Sequence, residues 1–193
     1  MSLRLRGLCL LALLAVPLAA ALPGWWIAFP KVPVLASRFR QESDSAVFGK
    51  MAREGHLLLG RGGKLKVVYD SGLTVTSDGR HLVQYDPDTR TAQRMELARA
   101  VQDFPLLGIL LDPARIAALY QAKPLGGDAV RLVPRSPEVP ALKATGRKGL
   151  LHTLEWTDPT GAHQRLELLD AKAPPPPGPD AFKPQVPPGT RWG

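Results

Sequence analysis

Four histidines, one cysteine and a serine beside an aspartate are the residues of this 193-residue chain most suited to chemistry. His56, His81, His152 and His163 are scattered, without the H-x-x-x-H spacing that would bring two imidazoles to one metal. Ser77 precedes Asp78, as in part of a catalytic triad, but the pair sits in a turn and lacks a nucleophile elbow. Asp86 and Asp88 flank Pro87, which suits a turn better than paired acid–base work. Cys9 lies in an apolar N-terminal run after Arg6-Gly7-Leu8, a poor context for lipid attachment. Beyond it the chain has no thiol, disulfide or cysteine-bound metal. No enzyme activity, cofactor or metal is expected. The chemistry left is that of apolar surface and of one well-placed cation, Arg61.

The elements that would position these groups are short strands. Residues 77–87, SDGRHLVQYDP, contain a turn, a strand and a second turn. Asp78-Gly79 suits a hairpin loop needing positive φ, and Val83 and Tyr85 alternate with Leu82 and Gln84. Residues 50–61 read as a strand with Leu57, Leu59 and Arg61 on one face. After a turn at Gly62-Gly63, Leu65, Val67 and Tyr69 alternate with Lys64, Lys66 and Val68, giving one apolar and one mostly basic face. Residues 73–76 and 91–95 add short strands, 129–133 another, and 150–156 with 163–169 a hairpin about the Asp158-Pro159-Thr160-Gly161 turn. Residues 35–42 are expected to be a helix end running into a strand.

Only residues 96–122 have helical composition, and Pro105 and Pro113 divide them into short pieces. Phe104, Leu106, Leu107, Leu110 and Leu111 make that stretch densely apolar, so it should lie across the apolar face of the sheet. Residues 173–180 are Pro-rich and extended, and 182–192 form a last extended piece for an edge. The expectation is a mainly β fold with helices. It is an open, incomplete antiparallel barrel of about eight to eleven strands, with a short helical lid or plug on its concave side.

The first residues stand apart. Arg4 and Arg6, an apolar run from Leu8 to Leu18 and the small residues Ala19-Ala20-Ala21 have the layout of a secretory signal peptide over 1–21, leaving one domain over 22–193. An uncleaved anchor reaching Phe29, with Trp25-Trp26 at an interface, is the alternative. Both place the domain outside the cytoplasm. The formal charge of +8 loses two positives, Arg4 and Arg6, with the leader, and +6 remains. The basic residues form no long run, so no nucleic acid is expected. Such a surface favours solubility or an anionic membrane or acidic partner.

In this order the residues resemble the LolA family, the periplasmic carriers of outer-membrane lipoproteins. Phe39-x-Gln41 is similar to the family's F-x-Q near the end of its first helix, and Gly55-x-Leu57-x-x-x-Arg61 to its G-x-L-x-x-x-R. Residues 77–87 are the closest match. Pro105-Leu106, Leu150-His152-Leu154 and Phe182-x-Pro184-x-x-Pro187-Pro188-Gly189 follow. Gly62 stands where the family usually has proline, and Leu65 to Val68 where it has an aromatic pair, so a related lipid is an alternative cargo. The resemblance implies a monomeric half-barrel in the periplasm. It also implies an inner-membrane ABC-type release complex as donor and an outer-membrane lipoprotein receptor as acceptor. It implies that Arg61 bonds lid carbonyls and latches the empty cavity.

The candidate lining is Phe39, Leu57, Leu59, Leu65, Val67, Tyr69, Val83 and Tyr85, with Phe104, Leu106, Leu107, Leu110 and Leu111 on the lid side. These residues could equally fill a solid core, and Arg61 could point to solvent if its strand ends at Gly60. A non-enzymatic periplasmic docking or assembly module, using Trp25, Trp26 and the Pro-rich tail, is the alternative function. A hollow or filled interior separates the two.

Overall fold

The computed structural model describes residues 21–103, 105–112 and 116–193. The expected leader, apart from residue 21, falls outside the described residues, as do Phe104 and the side chain of Leu106. Twelve strands among the described residues form one sheet. They are β1 (Val34–Ser45), β2 (Gly49–Gly60), β3 (Lys64–Tyr69), β4 (Thr74–Asp78), β5 (His81–Asp86), β6 (Thr91–Glu96), β7 (Tyr120–Gly126), β8 (Ala129–Pro134), β9 (Leu142–Arg147), β10 (Leu150–Thr157), β11 (His163–Leu168) and β12 (Arg191–Trp192). Their spatial order is β12-β6-β5-β4-β3-β2-β1-β11-β10-β9-β8-β7. All neighbours are antiparallel except β12, which lies parallel to β6 at one edge. The sheet is open, with β12 and β7 as its edges.

Two meanders, β2 to β6 and β7 to β11, meet on either side of β1. The chain therefore leaves the sheet near one edge, after β6, and re-enters at the other, as β7. The connection is made of short helices, α2 (Leu97–Asp103), α3 (Pro105–Leu111) and α4 (Ile116–Leu119), preceded in the chain by α1 (Gly24–Ala28). A connection between opposite edges of a curved sheet runs most directly across its concave side, and the apolar composition of α3 suits that position.

Register fixes which side chains face inward. Leu35 pairs with Leu59, Leu59 with Leu65, Leu65 with Ser77, and Ser77 with Leu82. One step along, Leu57 pairs with Val67, Val67 with Val75, and Val75 with Gln84. Gly55 sits between Phe39 and Tyr69, whose rings meet edge-on with centroids 5.3 Å apart. A Cβ there would collide with the Val68 carbonyl. The glycine permits a close backbone approach that a side chain would prevent.

The half of the concave face on β7 to β10 is filled. Val130, Leu132, Leu142, Ala144, Leu151 and Leu154 are buried there, and α1 is laid over them. The Trp25 indole covers Gly146, where any Cβ would strike the ring, and its Nε1 donates to the Asp128 carbonyl at 2.9 Å. Trp25 is 4% exposed, so it belongs to the core and serves neither an interface nor a docking surface. On the convex side the Phe182 ring packs at Gly60.

Several expectations change. Residues 35–42 are strand throughout, because β1 lies mid-sheet with ladder partners on both sides. The described residues form twelve strands, one more than the widest estimate. β7 begins inside the segment read as helical and contains Pro124, which an edge strand tolerates. β9 (LKATGR) has little β-forming composition of its own. The helical segment, expected over 96–122, ends at Leu119.

Tyr120 is deeply buried, and its hydroxyl has no hydrogen-bond partner among the described residues. Burial pushes its pKa up to about 12. The neutral form is the one that the fold accepts, so this stability is whole below the ordinary value of 10 and is lost as pH rises through about 12. Tyr120→Phe removes an unpaired polar group and is expected to gain about 1 kcal/mol. It should also flatten the alkaline limb of a urea-unfolding series measured against pH.

Candidate functional site

The other half of the concave face is hollow. A cavity of about 710 Å³ lies between β1, β2 and β3 on one wall, β10 and β11 on the other, and the helices above. Of the residues expected to line it, Phe39, Leu57, Leu59, Leu65, Val67, Tyr69, Leu107 and Leu110 do so. The sheet brings the first six together because they occupy alternate positions of three neighbouring strands. Leu107 and Leu110 are three apart on α3, one helical face.

Val83 and Tyr85 are not part of it. Register places Leu82 and Gln84 on the cavity side of β5, opposite Ser77 and Val75, so Val83 and Tyr85 face the convex side. Alternation alone shows two faces without saying which is inner. Leu111 is buried but lines a second space of about 660 Å³ on the far side of α3, with Gly62, Gly63, Gly79, Leu97 and Val101. The helix α3 is thus undercut on both flanks.

Sequence alternation missed the opposite wall, Trp156, Gln164 and Leu166. The signal was present: Leu154 and Trp156, and Leu166 and Leu168, recur with period two. Nothing in that pattern says that the hairpin lies across from β3. The rim is polar. Asp158 Oδ1 accepts from the Thr160 and Ala162 amides at 2.9 and 3.1 Å, and its Oδ2 from Gln164 Nε2 at 2.9 Å. Gln164 Nε2 also donates to Ser43 Oγ at 2.8 Å. These bonds, with that from the Thr160 hydroxyl the largest cause, hold the Asp158 carboxyl below its usual range. They fix the loop at the cavity mouth.

Arg61 follows the last residue of β2, so strand parity does not place it. It nevertheless turns inward. Its guanidinium donates to the Phe29 carbonyl at 2.6 Å and stands over the Phe29 ring, 5.9 Å from the centroid. With Pro33, Leu35, Leu59 and Leu110 it lines a narrow space. Burial pulls its pKa down, and the charge of Asp112, just past α3, pushes it back up. Arg61 thus ties the N-terminal segment under the lid and meets the charge at the lid's end. The carbonyl it bonds belongs to residue 29 and not to the lid helices.

The remaining polar candidates do not converge. Ser77 is buried and its Oγ accepts from the Gly79 amide at 3.2 Å, capping the turn. His81 Nε2 lies 3.1 Å from Glu96, whereas His152 donates from Nδ1 to the Leu168 carbonyl at 2.9 Å. His56 and His163 are exposed. Arg61→Leu deletes the bond to Phe29 and is expected to cost about 1 to 3 kcal/mol while leaving the sheet intact. Hydrogen exchange at Val32, whose amide bonds the same carbonyl, should rise with no change in β-strand amides.

The family model described as outer membrane lipoprotein carrier protein LolA matches residues 30–185. No curated protein matches the chain. Among solved structures, an uncharacterized conserved protein from Thermus thermophilus is similar at 11% identity and a TM-score of 0.56, over 87% of this chain and 94% of that one. A LolA superfamily protein from Nitrosomonas europaea aligns at 13% identity and a TM-score of 0.49, over 83% and 94%. At such identity the first likeness is one of fold.

Proposed function

The chain belongs to the outer membrane lipoprotein carrier protein LolA family, and from that premise we propose that it is a periplasmic, non-enzymatic carrier of acyl chains, those of lipoproteins or of a related lipid. The observation that supports this most is the cavity of about 710 Å³ walled by Leu57, Leu59, Leu65 and Val67 and roofed by Leu107 and Leu110. That volume lies within the usual range for ligand sites. Among the described residues no helix is long and apolar enough to cross a membrane.

Each exposed methylene disfavours water by about 0.8 kcal/mol, so a free acylated protein would hardly leave a bilayer unaided. A methylene needs about the room of a water molecule, on the order of 30 Å³. The cavity then takes roughly two dozen methylenes, enough for one long chain. A cargo with more chains must displace α3, and the second space of about 660 Å³ on its far flank leaves it room to move. Arg61 would be the latch. Its bond to Phe29 and its attraction to Asp112 would hold the empty carrier shut, and entering chains would separate α3 from the N-terminal segment. An inner-membrane ABC-type complex would load the carrier and an outer-membrane receptor unload it, with the protein acting as a monomer. A docking module needs no hollow interior, so the cavity favours the carrier over that alternative.

Val67→Trp tests whether the space is empty in solution. In a filled core the larger ring would cost about 1 to 3 kcal/mol by overpacking. In a hollow one it should leave the thermal midpoint nearly unchanged and weaken binding of a fluorescent fatty acyl probe at least about tenfold, a loss of ~1.4 kcal/mol. Unchanged probe affinity in a folded Val67→Trp protein would remove this cavity from the function.

A further inference from the structure

The hairpin of β1 and β2 runs on past its neighbours. β11 flanks β1 only as far as Asp44, opposite His163, and β3 flanks β2 only as far as Gly55, opposite Tyr69. Residues 45–49 therefore stand beyond the last rung on either side. Ser45 Oγ accepts from the Val47 and Phe48 amides at 3.1 and 3.3 Å, so the tip is a defined turn. It points apolar side chains at solvent: Val47 is 80% exposed, Phe48 75% and Met51 49%. Three basic and three acidic residues cancel over residues 40–54, and Lys50 beside the tip lies 3.7 Å from Asp44. The result is an uncharged, greasy point.

Its place relative to the cavity gives it a use. Phe39 and Gln41 of β1 and Leu57 and Leu59 of β2 are cavity wall, so tip and cavity share the same two strands. The polar rim, Gln41, Gln164 and Asp158, lies toward the tip end. Val47 comes six residues after Gln41, on the order of 20 Å along an extended strand.

The size of the patch decides its occupant. Two or three side chains offer far less than the ~800 Å² per partner that a stable protein interface buries. A second copy or a folded partner would not be held by it. A bilayer sets no such minimum, because each apolar side chain that enters gains independently. We propose that the Val47-Phe48 tip dips into the surface of a lipid bilayer and sets the cavity mouth against it. Acyl chains then pass between bilayer and cavity without crossing open water. The proposal rests on the acyl-carrier function and adds where the carrier touches its donor or acceptor.

The test uses a Cys9→Ser, Phe48→Cys protein labelled at position 48 with the polarity-sensitive dye NBD. It is mixed with vesicles of phosphatidylethanolamine and phosphatidylglycerol, and uptake of the fatty acyl probe is followed in parallel. NBD emission should rise several-fold and blue-shift on vesicle addition, with protection from aqueous iodide. In the unlabelled protein, Val47→Ser with Phe48→Ser should lower the vesicle-bound fraction about tenfold and leave probe uptake unchanged. NBD emission that ignores vesicles while the probe still binds overturns the proposal and spares the carrier function. So does emission that rises with protein concentration in the absence of lipid, which would mark self-association. Failure of the probe to bind the unaltered protein strikes the carrier function itself.

Discussion

The chain must travel from one edge of a twelve-stranded open sheet to the other, and it does so over an apolar concave face. β6 and β7 lie near and at opposite edges because β1 pairs with β2 on one side and β11 on the other. The helices α2, α3 and α4 therefore bridge the mouth of the curve. Three short helices cover that distance but cannot fill the volume beneath it. One half of the trough is closed by α1, with Trp25 seated on Gly146. The other half stays open under α3.

At the boundary between the two halves, Arg61 reaches both the N-terminal segment and the end of α3. A guanidinium partly withdrawn from water is best placed where its donors are used and its charge is offset. The Phe29 carbonyl, the Phe29 ring and the charge of Asp112 together meet that demand. The partners belong to two separate segments, one before β1 and one after α3, so one side chain couples plug to lid. A hydrophobic residue at 61 would pack without demanding either partner.

Much of this architecture could be read from residue order. Strand-turn alternation marked most of the strands, and the Pro-divided apolar segment marked the lid. Leu57, Leu59, Leu65 and Val67 were identifiable as one wall because a two-residue period is a local property. What failed was non-local. Alternation at 82–85 could not say which face of β5 is inner, and the ladder through Ser77 reversed the choice of Val83 and Tyr85. The strand nature of 35–42 came from pairing on both sides, and the far wall at Trp156 and Leu166 came from the fold bringing β10 and β11 opposite β3. Arg61 does turn inward, although the strand parity used to place it ends one residue too early.

A carrier of this design needs an interior that is empty enough to accept a chain beneath α3. The most direct measurement is a crystal structure after soaking with a terminally brominated fatty acid, with the bromine located by its anomalous signal. The predicted result is bromine within the space bounded by Leu57, Val67, Leu107 and Leu110, with α3 displaced from Arg61. An interior occupied by the protein's own side chains, with bromine found only on the outer surface, would contradict it.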